Sequence, residues 1–315
     1  MSNLNTIHLA IDEPINSTLL EQFLHKSNIE KKISTFEEII AKNLLNIETN
    51  DLPIASILAF EKLNPDKSFF FKASPCFFSL QRDFYRFEKN FDNQLDSNTL
   101  LDLCNLLNKN FSSDSIHFII KDKFILLKAN SHTAVGSFFP EQLNSIPDKN
   151  FLPYGKDAMF WHRLINEIQM CLYNADINRI RQQQKLFPIN TIWFSGGGQF
   201  PENIKIHSNK KILSNSYLIN QMYLIDSSLK LIFFDNNHSD ESIMNADIYF
   251  DLRTNKVDQK ILITFIEKFI SRKKIKNLQL KIILGDYLLI AKPDWFSFLK
   301  INRHKRIFDE FVGNN

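Results

Sequence analysis

The chain has 315 residues, 44% of them hydrophobic, and Lys plus Arg exceed Asp plus Glu by 38 to 35, a net charge of +3. That length and apolar content bury a sizeable core, in one large domain or two smaller ones. So small a charge excess argues against nucleic acid or an anionic membrane as the main partner. The three cysteines, Cys76, Cys104 and Cys171, are far apart with no paired spacing, which argues against a disulfide framework or a cysteine zinc site and for a reducing compartment. No apolar run approaches the roughly 18 residues of a spanning helix, and "MSNLNTIHLAIDEP" has no basic region followed by an apolar stretch, so a cytoplasmic protein with no membrane partner is expected.

In chain order, a short strand around Ile7–Ile11 opens a region of helical pieces. "STFEEIIAKNLL" predicts a helix with Ser34 as N-cap and Glu37 closing a capping box. "SFFFKASPCFFSLQRDFYRFEKN" reads as extended, broken at Ser74 and Pro75 because proline cannot donate to a central ladder. A helix is expected at Ser97–Lys109, and "SIHFIIKDKFILLKA" predicts a hairpin turning at Lys121–Lys123. Residues 130–156, with Gly136, Pro140, Pro147, Pro153 and Gly155, read as a loop that divides one domain, 1–315, into halves 1–135 and 154–315. The clearest helix is "DAMFWHRLINEIQMCLYN", N-capped by Asp157, with Trp161, Ile165, Ile168 and Leu172 on one stripe. A helix in "DINRIRQQQKL" stops before Pro188, and "PINTIWF" is a buried strand. Strands in "LKLIFFD" and "DIYFDL", a helix at Val257–Lys268 and a hairpin turning at Gly285 and Asp286 complete an α/β chain, a mixed sheet with helices and hairpins.

Four constellations carry chemistry. Ser195, Gly196, Gly197 and Gly198 follow a strand, where successive backbone N–H groups cradle phosphates in other proteins. "GGGQFPENIKI" lacks the lysine and helix start of the phosphate-loop fingerprints, so a tight turn or a close backbone approach is the expectation on these residues alone. His162, Asn166, Gln169 and Tyr173 make a polar stripe beside the apolar face of the Trp161 helix, suited to tying down loops or lining a pocket. Arg163 and Glu167 are spaced as a surface ion pair. Asp235, His238, Asp240 and Glu241 follow a strand and bear metal-ligating groups, although their spacing matches no established metal motif. His132 is a loop histidine with no evident nucleophile partner. The basic clusters Arg272, Lys273, Lys274, Lys276 and Lys300, Arg303, Lys305, Arg306 read as solvated faces.

The stretch "YGKDAMFWHRLINEIQMCLYNADINRIRQQQKLFPINTIWFSGGG" resembles the core signature of the bacterial regulatory protein RpfE type family, relatives of the archaeal-type cofactor-independent phosphoglycerate mutases. The matching positions are Arg163, Leu164, Asn166, Glu167, Gln169 and Met170, then Asn178, Arg181, Pro188, Asn190, Trp193, Gly196 and Gly198. "ASPCFFSLQRDFYRFE" and "LKIILGDYLLIAKPDWFSFLKINRHK" are similar to further family segments. The resemblance implies a reduced phosphoglycerate-mutase-like, alkaline-phosphatase-like scaffold. That superfamily's chemistry implies two divalent ions on Asp and His ligands beside a phosphorylated Ser or Thr.

Here "HLAIDEPINS" has no Asp-Gly and the chain has no Asp-His pair, so the implied activity is a non-catalytic one, regulation or binding of a phosphorylated metabolite, with no secure cofactor. The resemblance places the ligand on Arg163, Asn166, Glu167, Gln169, Asn190 and Ser195–Gly198, with a phosphorylated small molecule or a regulatory protein as partner. The alternatives are an active phosphomutase or phosphatase carrying Mn or Zn on Asp12, Asp235, His238 and Asp240, and a protein-interaction module using the basic clusters. The oligomeric state is left open.

Overall fold

The computed structural model describes residues 5–45, 52–61, 68–81, 84–113, 115–145, 151–201, 205, 206, 208, 211–234, 246–253, 256–272, 278–285 and 287–293. The chain forms two compact units, residues 1–46 with 205–315, and residues 47–204. The division therefore falls at 46/47 and 204/205, whereas the proline-rich stretch lies inside the second unit, where Gly136 and Tyr154 form a bridge. Local proline density marks a loop; which residues share a core is set by long-range contacts that composition does not encode.

The first unit is an α/β layer. Five parallel strands, β1 (Asn5–Ile11), β8 (Ile212–Ser214), β9 (Leu231–Phe233), β10 (Asp247–Asp251) and β11 (Leu278–Leu284), lie in the order β11-β1-β10-β8-β9. The antiparallel strand β12 (Tyr287–Pro293) continues the sheet beyond β11, and β2 (Ser27–Ile33) closes that edge. β2 is absent from the sequence expectation because "SNIEKKI" is polar along an edge and gives no hydrophobic period. The helices are α1 (Thr18–His25), α2 (Phe36–Ile40), which runs into a π-helical turn at Ala41–Leu45, α7 (Tyr217–Ile225) and α8 (Lys256–Arg272). Ile7, Leu9, Phe250 and Ile282 from the sheet pack with Leu20, Phe23, Leu262 and Ile266 from α1 and α8. The α2 capping box forms one residue later than expected, with Thr35 as N-cap and Glu38 reaching back, because Thr35 is the residue that takes the extended conformation a cap requires.

The second unit is a mainly antiparallel sheet of β3 (Phe69–Gln81), β4 (Phe84–Asn90), β5 (Ile116–Lys121), β6 (Phe124–Ala129) and β7 (Thr191–Gly198). It carries α3 (Ile54–Leu58), α4 (Ser97–Phe111), α5 (Ala158–Tyr173) and α6 (Asp176–Gln183). β3 runs unbroken through Pro75, contrary to the expected break. Its pairing explains why: β7 flanks one side from Phe70 to Cys76, while the other side passes from β6, ending at Lys72, to β4, starting at Cys76. Pro75 sits in the gap between those two partners, where a missing donor costs least. The 116–129 hairpin and α4 form as expected, as does α5, whose buried face is Trp161, Leu164, Ile165, Ile168 and Leu172. Asp157 occupies the N-cap position of α5 but spends its carboxylate on the Ala134 backbone N–H instead, at 2.9 Å.

Candidate functional site

In the second unit, the triple glycine is part of a strand rather than a turn. Phe70 pairs with Gly198 and Lys72 with Ser195, so β7 carries one extra residue there, a β-bulge with Gly196 at φ +59°. A Cβ on Gly197 would meet the Phe71 ring at 2.4 Å, and one on Gly198 would meet Pro53 at 2.5 Å. The glycines thus admit close approach by the protein's own side chains within a strand, which removes the tight turn.

The polar residues of this stretch separate into framework and surface. Asn190 clamps β3, its amide donating to the Phe78 carbonyl at 2.8 Å and accepting from the Phe78 N–H at 2.9 Å. Asn178 likewise holds Leu172 and Ile189. Gln169 reaches the Thr191 hydroxyl at 3.4 Å and His162 donates to the Pro153 carbonyl at 2.6 Å, the loop-tying half of the stripe's expected role. Arg163 and Glu167 lie 3.7 Å apart on the exposed face, with Asn166 and Tyr173 beside them. Ser195 is fully buried, and its Oγ has no hydrogen-bond partner among the described residues. His132 stacks on Phe160 with centroids 4.0 Å apart. The predicted set therefore does not converge on one cleft.

A second cluster in this unit escaped the sequence reading. The Asp92 carboxylate accepts from Lys72 Nζ at 2.8 Å, Ser74 Oγ at 2.7 Å and Asn90 Nδ2 at 3.0 Å, and Asn90 also reaches Glu141. Lys72 and Ser74 are 5% and 0% exposed. Beside them, burial pushes the pKa of the Cys76 thiol well above its ordinary value, making it a weaker acid; the Asp92 and Glu141 carboxylates add to the shift and Lys72 opposes it. With Lys72, Ser74 and Asp92 buried, the network holds β3 to the segment after β4.

The first unit places its polar groups where open α/β sheets bind ligands. From β8 the chain passes through α7 outward to β9, whereas from β10 it passes through α8 back across β1 to β11. Connections that leave neighbouring parallel strands in opposite directions open a crevice at their carboxyl ends. At that point Asn215 bonds Asp251 in both directions, its amide donating to the Asp251 carbonyl at 2.9 Å and accepting from the Asp251 N–H at 2.8 Å. Ser214 Oγ donates to the Tyr249 carbonyl and accepts from Ser216 N–H. Arg253 grips the Asp251 carboxylate with Nε and Nη2, both at 3.0 Å, and its Nη2 also reaches Glu37 at 2.9 Å. Beneath the edge, Tyr249 stacks on His8 with centroids 4.2 Å apart, and burial pushes its phenol well above the ordinary range despite a bond from Asn43. Ser216 stands at the N-cap of α7 and makes no side-chain cap hydrogen bond there, at the positive end of the helix dipole.

Asp12 follows β1 at this same carboxyl edge and is exposed. Asp235, His238, Asp240 and Glu241, with nearly all of the two basic clusters, lie outside the described residues. No three His, Cys, Asp or Glu side chains come together as a metal site among the described residues. Asp251 and Glu37 have a guanidinium between them, so these residues do not fit a two-metal centre.

No family model and no curated protein matches the chain. Among solved structures, a cofactor-independent phosphoglycerate mutase from Thermoplasma acidophilum is similar over 92% of this chain and 89% of that one, at 13% identity and a TM-score of 0.34. The PH0037 protein from Pyrococcus horikoshii is similar over 92% and 87%, at 9% identity and a TM-score of 0.38. Superpositions this loose carry no argument. The expected α/β class is met by the sheets and helices themselves. No described helix is long and apolar enough to cross a membrane.

Proposed function

We propose that this chain is a non-catalytic binding protein for a phosphorylated small molecule, taken up at the carboxyl edge of the first unit's parallel sheet. The observation that carries the reading is the α7 N-terminus, which rises from β8 at the crossover point and whose N-cap residue, Ser216, makes no side-chain cap hydrogen bond. Such a terminus offers several N–H donors and a positive dipole end to a phosphate dianion. The Asn215–Asp251 clamp and the Arg253 fork hold the neighbouring strand end rigid. A guanidinium paired to both Asp251 and Glu37 stands where carboxylates would otherwise attract a divalent cation, which supports binding rather than metal-assisted transfer. Relative to the resemblance, this moves the ligand from Asn166, Gln169, Asn190 and the glycines, whose amides and backbone serve the framework or the surface.

The test is thermal stabilisation of the full chain by inorganic phosphate, phosphoglycerate, and Mn²⁺ or Zn²⁺. At a hundredfold excess over Kd, a ligand of the folded state adds about 2.7 kcal/mol, roughly 5–10 °C for a unit of the first unit's size unfolding on its own. Ser216→Asp, whose carboxylate caps α7 and repels an anion, abolishes the shift on this reading. Phosphate and phosphoglycerate shifts that survive Ser216→Asp, or stabilisation by metal alone, refute it.

A further inference from the structure

The outward face of α5 has a pattern that core packing does not require. Met159, Arg163, Asn166, Met170 and Tyr173 are spaced four, three, four and three residues apart, the seam spacing of a helix that packs on another helix. They point away from Trp161, Ile165, Ile168 and Leu172, the side buried in the unit's own core. Met159, Met170 and Tyr173 are 77%, 76% and 83% exposed, an unusual concentration of large apolar surface on one helix. Four positions that carry the family resemblance, Arg163, Asn166, Glu167 and Met170, are exposed on this helix, where Arg163 makes a solvated ion pair with Glu167 and lies 6.0 Å from the Phe160 ring of its own helix.

We propose that this face is a self-association surface on which a second copy of the chain docks its own α5 antiparallel, about a two-fold axis passing beside Asn166. Asn166 lies near the midpoint of Ala158–Tyr173. About such an axis each residue meets the one equally far on the other side, so Met159 lies against Tyr173 of the second copy, a thioether on an aromatic ring. Asn166 meets itself, and an amide is its own complement because it carries both donor and acceptor. Arg163 of each copy comes alongside Glu167 of the other. Parallel packing would instead set Arg163 against Arg163 and Glu167 against Glu167, so the charges choose the antiparallel arrangement. A polar residue at one seam position fixes register at some cost in affinity. A single helix pair falls below about 1,200 Å² of buried surface, the size of weak, transient interfaces, so a reversible dimer of about micromolar affinity is the expectation to test.

Sedimentation equilibrium of the full chain up to about 100 μM reads the association directly. The expected result is a reversible dimer that Met170→Glu weakens at least tenfold with the circular dichroism unchanged. R163E and E167K each fail to self-associate, since each makes the face single-signed, and an equimolar mixture of the two dimerises. A wild-type monomer throughout that range, or a mixture that stays monomeric, overturns the proposal. Covalent trapping gives an independent reading on a Cys171→Ser background. A short bis-maleimide links N166C to itself but not M159C, because two copies of residue 159 stand about 21 Å apart along the helices. Trapping of M159C, or none of N166C, overturns the antiparallel geometry.

Discussion

Replacing Asp92 by Asn removes one charge from a site where Lys72 and Ser74 are 5% and 0% exposed. The carboxylate that accepts from Lys72 at 2.8 Å becomes a neutral amide, and the ammonium loses a counter-charge that compensated its desolvation. Breaking one side of a buried pair typically costs about 3–5 kcal/mol. At about 2–4 °C per kcal/mol for a unit of this size, the unfolding midpoint falls by roughly 6–20 °C. Lys72→Met with Asp92→Asn recovers most of that loss, because the amide oxygen still accepts from Ser74 and Asn90 and no charge is left to desolvate. Urea unfolding followed by tryptophan fluorescence measures it, since Trp161 and Trp193 are both buried in this unit. A single-mutant loss below about 1 kcal/mol, or a double mutant whose loss is simply additive, refutes the assignment of the pair as a coupled buried charge.

Gly197→Ala forces a Cβ to within 2.4 Å of the Phe71 ring and destabilises the second unit by about 1–3 kcal/mol, as urea midpoints check. Asn190→Ala leaves the Phe78 N–H and carbonyl without their clamp and costs about 1–3 kcal/mol; a neutral result would mean that water replaces both bonds. Because burial raises the Cys76 thiol, the unfolded thiol ionises first, near pH 8.5–9, while the folded one stays protonated. Its contribution is complete below that pH and falls by about 1.4 kcal/mol per pH unit above it, so Cys76→Ala makes the stability profile between pH 9 and 10.5 shallower by up to that slope. An unchanged slope refutes the assignment.

Some of this was legible residue by residue. The 3.6-residue stripe of α5 is visible in "FWHRLINEIQMCL", and the 116–129 hairpin in two apolar runs around "KDK", because both signals repeat within one element. The capping box was displaced by one residue, since "ST" offers two hydroxyls and only the backbone conformation chooses between them. In the site stretch, the sequence marks Asn190 and the glycines as constrained but cannot say by what. Their partners, Phe78, Phe71 and Pro53, lie more than a hundred residues away. Ser214, Asn215, Asp251 and Arg253 went unnoticed, and Glu37 was read only as a capping residue, for the same reason: Arg253 and Glu37 are 216 positions apart and share no motif. The strand-final "DLR" after "DIYF" was the available signal, and it has meaning only once β10 is known to be a parallel strand next to β8.

By itself, then, the sequence determined the α/β class, the principal helices and both hairpins, because hydrophobic period and turn residues act over a few positions. Only the tertiary structure decided that residues 47–204 form a unit of their own, that β3 passes through Pro75 between three partners, and that the triple glycine is a bulge under Phe71 and Pro53. It also decided which carboxylates Arg253 holds. Strand order and side-chain convergence depend on contacts between residues far apart in the chain, and those become fixed only when the sheets assemble and bury their faces.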